Sequence, residues 1–81
     1  MEPHELLETV VDESSFLAFV QALLADRRTN AASWENGTIE DFLEGALAWA
    51  ESTQLGASQG LAGASPWRRL ATLLYCGKIY E

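Results

Sequence analysis

Apolar residues recur at helical spacing in three stretches of this 81-residue chain, each with its own boundary signals. In the first, Phe16, Leu17, Val20, Leu23 and Leu24 form a stripe that Phe19 widens. That spacing is the mark of a helix with one face in a core. Asp12 or Ser14 can cap its start, Glu13 suits the positive end of the dipole, and Arg27 and Arg28 suit the negative end. The pattern predicts a helix from about residue 13 to 27 or 28.

The second stretch opens on the turn dipeptide Asn36-Gly37, whose residues tolerate left-handed backbone. Thr38 and Asp41 then match a capping box. Ile39, Phe42, Leu43, Ala46, Trp49 and Ala50 follow as an apolar face, predicting a helix over about 39–53. Gly45 interrupts it at a cost of about 1 kcal/mol relative to alanine, which points to a close approach of another helix or a small kink. In the third stretch Ser65 is a favoured N-cap and Pro66 a favoured first helical residue. Trp67, Leu70, Ala71 and Leu74 are its expected buried stripe. Gly77 is the expected stop, leaving Lys78, Ile79, Tyr80 and Glu81 as a short tail.

Between these elements, Thr29–Gly37 reads as a polar loop interrupted by Trp34. Residues 54–65, rich in Gly, Ala and Ser, read as a flexible linker between the last two helices. Residues 1–11 stay open, since Pro3 can start a short helix while Val10-Val11 can equally be extended. No clean period-two alternation marks a strand. The fold class expected is therefore all-α: one domain over 1–81, a small three-helix bundle with room for a short extra N-terminal helix.

Apolar residues make up 48% of the chain, enough for a core of its own. At this size stability should be only a few kcal/mol, and dimerisation is one way to widen it. Cys76 and His4 are the only residues of their kinds, so neither a disulfide nor a Cys/His metal cluster is expected within one chain. No cofactor is expected either. The start, Met1 to Glu5, carries no basic region and no long apolar run follows, so no secretory signal and no membrane span are expected. A cytoplasmic protein is the expectation.

Five Lys/Arg against twelve Asp/Glu give a net charge of −7. Such a charge repels a phosphate backbone, which argues against nucleic acid as a ligand. A basic protein partner suits the field, although solubility alone also explains an acidic surface. Glu40, Glu44 and Glu51 share one outer face of the second main helix.

Candidate chemistry is sparse. Gly56-Ala57-Ser58-Gln59-Gly60 matches Gly-x-Ser-x-Gly, but a nucleophile elbow needs a strand before it and a base nearby. Here no strand precedes, and His4 is the sole candidate base. Glu40 with Glu44 and Asp12 with Glu13 are carboxylate pairs, but acid/base work requires a desolvated cleft, and helical phase puts Glu40 and Glu44 on the solvated side. Cys76 has no evident base. Arg68 and Arg69 sit in the first turn of the last helix, where the dipole disfavours cations. An anion should offset that cost: Glu35, Asp41 or the acidic outer face, or else an external anionic ligand. Trp34, Trp49 and Trp67 are expected in or at the rim of the core; an exposed one would anchor a partner.

The run Trp34-Glu35-Asn36-x-Thr38-Ile39-x-x-Phe42-Leu43, with Trp49 closing the helix, resembles the central motif of an uncharacterised family of short bacterial proteins. Trp67, Leu70-Ala71, Leu74 and the terminal Tyr80-Glu81 resemble that family's end. The similarity spans most of 15–81, apart from 54–65. It implies a small, mainly helical bacterial domain without an assigned activity.

The reading is a non-enzymatic, acidic interaction or regulatory module, with no catalytic residue assigned. One concrete form is an immunity-type inhibitor of a basic toxin. Candidate partner-binding residues are Glu35, Glu40, Glu44, Glu51, Arg68 and Arg69. The alternatives are a ligand-binding or enzymatic domain using Glu35, Asn36, Asp41 and Arg68 as a polar cluster, and a structural homodimer built on exposed Trp or Leu residues. The chain is thus expected as a monomer or a homodimer.

Overall fold

Helix-forming signals dominate the chain, and the computed structural model, which describes residues 2–80, is helical accordingly. The elements are α1 (Pro3–Leu6), α2 (Glu13–Thr29), α3 (Ile39–Thr53) and α4 (Pro66–Ile79). Short 3-10 turns at Leu7–Thr9, Ala31–Ser33 and Ala57–Gln59 join them, and no strand occurs among the described residues. The fold is all-α, with the extra N-terminal helix present. Met1 and Glu81, the latter the last residue of the predicted tail, lie outside the described residues.

Cap chemistry sets the boundaries. Asp12, rather than Ser14, starts α2: its Oδ1 accepts the Ser15 N–H at 2.9 Å, and Ser15 Oγ accepts the Asp12 N–H at 3.0 Å. Hydrogen bonds from the neighbouring Ser15 backbone and hydroxyl hold the Asp12 carboxyl below its ordinary range. Thr38 Oγ1 accepts the Asp41 N–H at 3.1 Å, one half of the predicted box. Ser65 caps α4 through the Arg68 N–H, with Pro66 in the first turn.

α4 is the central helix. α3 packs principally on it, α2 also packs on it, and α2 and α3 scarcely touch one another. The core cluster contains Val10, Phe19, Leu23 and Ala71, with Phe16 and Trp67 tilted against each other at its edge, ring centroids 5.6 Å apart. α1 lies along Ala22, Asp26 and Thr29 of α2, the turn after it packs on α4, and together they deliver the fully buried Val10. The molecule is flat, 33 × 27 × 16 Å in extent.

Several expected positions move. Gly77 does not end α4, which runs two residues further to Ile79. A Cβ on Gly77 would meet the Phe42 ring at 2.8 Å, so the glycine is there to admit that ring. Gly45 is also a close-approach site, but the groups that approach are the Tyr80 carbonyl oxygen and Asn36 Nδ2, 2.5 and 2.6 Å from a built Cβ. The apolar stripes are only partly buried. Leu17, Leu24, Ile39, Leu43 and Leu70 stay exposed, because they lie on sides of α2, α3 and α4 that the neighbouring described elements do not cover.

The 54–65 segment is hydrogen-bonded to its neighbours. Gln54 and Leu55 take left-handed backbone (φ 54° each) and turn the chain out of α3. Thr53 Oγ1 accepts the Gly56 N–H, and Trp49 Nε1 donates to Gln59 Oε1, both at 2.9 Å. Gly56 has φ 86°, and a side chain there would meet Leu61 and Trp49.

Candidate functional site

Two adjoining features occupy the end of the molecule where α4 finishes. The first is a buried polar knot. Phe19 and Leu23 continue to Asp26 on one face of α2, and that helical phase carries the carboxylate inward. The same reasoning on α4 carries Lys78 in behind Ala71. Lys78 Nζ lies 2.7 Å from Asp26 Oδ2, with side chains only 9% and 4% exposed. Trp34 Nε1 donates to the same Oδ2 at 2.9 Å, and Asn30 Nδ2 donates to Oδ1 at 3.1 Å. The Lys78 hydrogen bond dominates and holds the Asp26 carboxyl below its ordinary value of 3.8, against the opposing effect of burial.

Trp34-Glu35-Asn36 closes this knot over the C-terminus of α4. The backbone N–H groups of Glu35 and Asn36 both donate to the Lys78 carbonyl, at 3.1 and 3.2 Å. Asn36 Nδ2 donates to the carbonyls of Gly77 and Tyr80 at 2.9 and 2.8 Å. These are helix-end acceptors left without intrahelical partners, and a side-chain amide satisfies two of them. Trp34 is sandwiched as well: it stacks on Phe42, with Arg27 and Lys78 each within 6 Å of its ring.

The second feature is a groove of about 400 Å³ beside the knot. Val20, Leu24 and Arg27 of α2 form one wall, and Ile39 and Phe42 of α3 the other. Leu74 of α4 forms the floor, and Trp34, Asn36, Gly37 and Thr38 the end. By helical phase, Leu70 extends the floor one turn from Leu74, Leu17 extends the α2 wall, and Leu43 and Leu47 extend the α3 wall. Among the described residues, Leu24 and Ile39 are the exposed large apolar side chains of the groove lining itself, and Leu17, Leu43, Leu47 and Leu70 continue outward from it. Ile39 is 74% exposed and Leu43 59%. Scattered singly such residues need no explanation, but a contiguous patch does.

The six residues proposed from the sequence as partner contacts divide. Glu40, Glu44 and Glu51 are exposed along α3, and helical phase sets them beside Leu43 and Leu47, further round the helix from the groove lining. Glu35 is exposed, but its backbone serves the knot. Arg69 is satisfied within the fold by backbone carbonyls rather than by a carboxylate. Its Nε and Nη2 donate to the Leu55 and Gln54 carbonyls, at 2.9 and 3.0 Å, and so cap α3. Arg68 keeps its Nε buried and without a hydrogen bond.

The polar cluster of Glu35, Asn36, Asp41 and Arg68 is not assembled. Asn36 is committed to the C-terminal end of α4, whereas Arg68 lies in its first turn, about 15 Å away along the helix axis at 1.5 Å per residue. Ser58 is an exposed residue of a 3-10 turn, without the strand a nucleophile elbow needs. Burial pushes the Cys76 thiol up to about 11, the state of an inert sulfur. Trp49 is buried, and Trp34 and Trp67 are half-buried. Among the described residues no helix is long and apolar enough to cross a membrane.

Sequence reading missed the knot and treated the groove walls as core. The signal for the knot was present: Asp26 follows Phe19 and Leu23 at core spacing, as Lys78 follows Ala71. No curated protein and no solved structure matches the chain. A family model does match, over residues 12–81, and the chain belongs to that family of unknown function, DUF7660.

Proposed function

We propose that this chain is a protein-interaction module whose contact surface is the groove between α2 and α3. One observation carries the reading: an apolar groove walled by α2 and α3 leaves Leu24 and Ile39 exposed, and by helical phase Leu43 and Leu47 lead from it round α3 to Glu40, Glu44 and Glu51. A surface of that kind gains by being covered, at roughly 25 cal/mol per Å² of apolar area removed from water. The acidic edge and the net charge of −7 select a basic partner and speed its approach. A second copy would bring two chains of the same negative charge and the same acidic edge together, which disfavours self-association. An inhibitor covering the basic surface of a toxin is one concrete form of this role.

Site-specific photo-crosslinking in the native host tests it. A crosslinker replacing Leu43 should give one discrete adduct whose yield falls with salt. The same group replacing Glu8, exposed on the turn after α1, should not. Equal adducts from both positions, or none from Leu43, would overturn the reading.

A further inference from the structure

We infer that the groove receives a basic amphipathic α-helix of the partner, seated over Leu70 and Leu74 and running beside α3. This rests on the reading of the groove as a partner surface and specifies what fills it.

Three observations lead there. The first is shape. α2 and α3 both pack on α4 yet scarcely touch each other, so the trough above α4 is where one more helix would complete a bundle. Helices packed side by side lie about 8–10 Å apart, a spacing that suits a trough walled by two helices.

The second is hydrogen bonding. α2, α3 and α4 form the walls and floor, and helices satisfy their interior backbone groups internally. They present no sheet edge to which an extended peptide could add as a strand. A segment desolvated on this surface must satisfy its own N–H and C=O groups, and a helix does so.

The third is charge. Leu43 and Leu47 border Glu40, Glu44 and Glu51 around the α3 cylinder, so an apolar stripe and an acidic stripe run side by side. Arg27, the cation in the groove wall, is already engaged: its Nη2 donates to the Gly37 carbonyl at 3.1 Å, and it lies over the Trp34 ring. The matching ligand therefore has an apolar stripe with Lys or Arg beside it.

The test titrates a Leu/Lys amphipathic model helix of about 18 residues, five turns, into the full isotope-labelled chain. The controls are a scrambled peptide of the same composition and a Leu/Glu counterpart. Amide shifts should concentrate at 17–24, 39–47 and 70–74. Both controls should bind at least about tenfold more weakly, a difference that isothermal titration resolves readily. Leu43→Glu should weaken binding by about tenfold or more, as loss of a central apolar anchor does. Glu40→Lys with Glu44→Lys should weaken it and flatten its salt dependence. All three positions are exposed, and an unchanged melting temperature verifies that each variant is folded.

Shifts mapping away from the groove would overturn the inference. So would equal binding of the scrambled or acidic peptide, or a concentration-dependent dimer that buries the same residues. If Leu43 crosslinks a partner in the host while the model helix fails, the helical occupant is wrong and the interaction surface stands. If both fail, both readings fall.

Discussion

The knot and the groove lie side by side and invert the usual arrangement: the knot buries an ion pair, while the groove leaves leucine and isoleucine in water. Coverage explains the difference. Asp26 and Lys78 project into the layer where α1, α2, α4 and the Trp34 loop converge, so their charges can persist only as a hydrogen-bonded pair. Leu24, Ile39 and Leu43 project from the sides of α2 and α3 that α4 does not reach. The first region holds the end of the bundle together, and the second stays open to solvent, which is why we propose a partner for it.

Breaking the ion pair should have the largest effect on stability. Asp26→Ala strands a buried ammonium and should cost about 3–5 kcal/mol in denaturant unfolding. Adding Lys78→Met should recover much of that loss, because the uncompensated charge is then gone. A single variant that unfolds like the parent would mean the pair is not buried in solution.

Gly45→Ala presses a methyl group against the Tyr80 carbonyl and the Asn36 amide. It should cost about 1–3 kcal/mol, the usual penalty for overpacking. Thermal unfolding measures it.

Acid probes the knot without a mutation. The folded Asp26 pKa lies below the unfolded value, so its contribution is fully present above the ordinary value of 3.8 and fades as pH falls through the depressed folded value. Asp26→Asn should remove that part of the acid dependence, as read by unfolding midpoints across the acid range. An unchanged acid limb would assign it to other carboxylates.

The smallest stability effect belongs to the groove. Leu43→Ser and Ile39→Ser should each change stability by no more than about 0.5 kcal/mol, as exposed substitutions do. A loss of several kcal/mol would show that these residues are core after all and erase the contrast.

Much of the fold was legible because it depends on neighbours in the chain. Asp12, Thr38 and Ser65 cap helices through bonds to residues three positions away, and Pro66 begins α4 because its missing N–H costs nothing there. The candidate site was less legible. Glu40, Glu44 and Glu51 could be placed on one outer face from spacing alone, but the apolar stripe beside them looked like core.

Local pattern, then, determined which segments are helical, where they start and which face of each is apolar. Only the tertiary structure decided how much of each apolar face is covered, because coverage depends on how far α4 and the N-terminal segment reach across their neighbours. It also decided that Gly77 admits Phe42 rather than stopping a helix, that Arg69 caps α3, and that Asp26 meets Lys78 across 52 residues. Such contacts join parts of the chain that no local window contains.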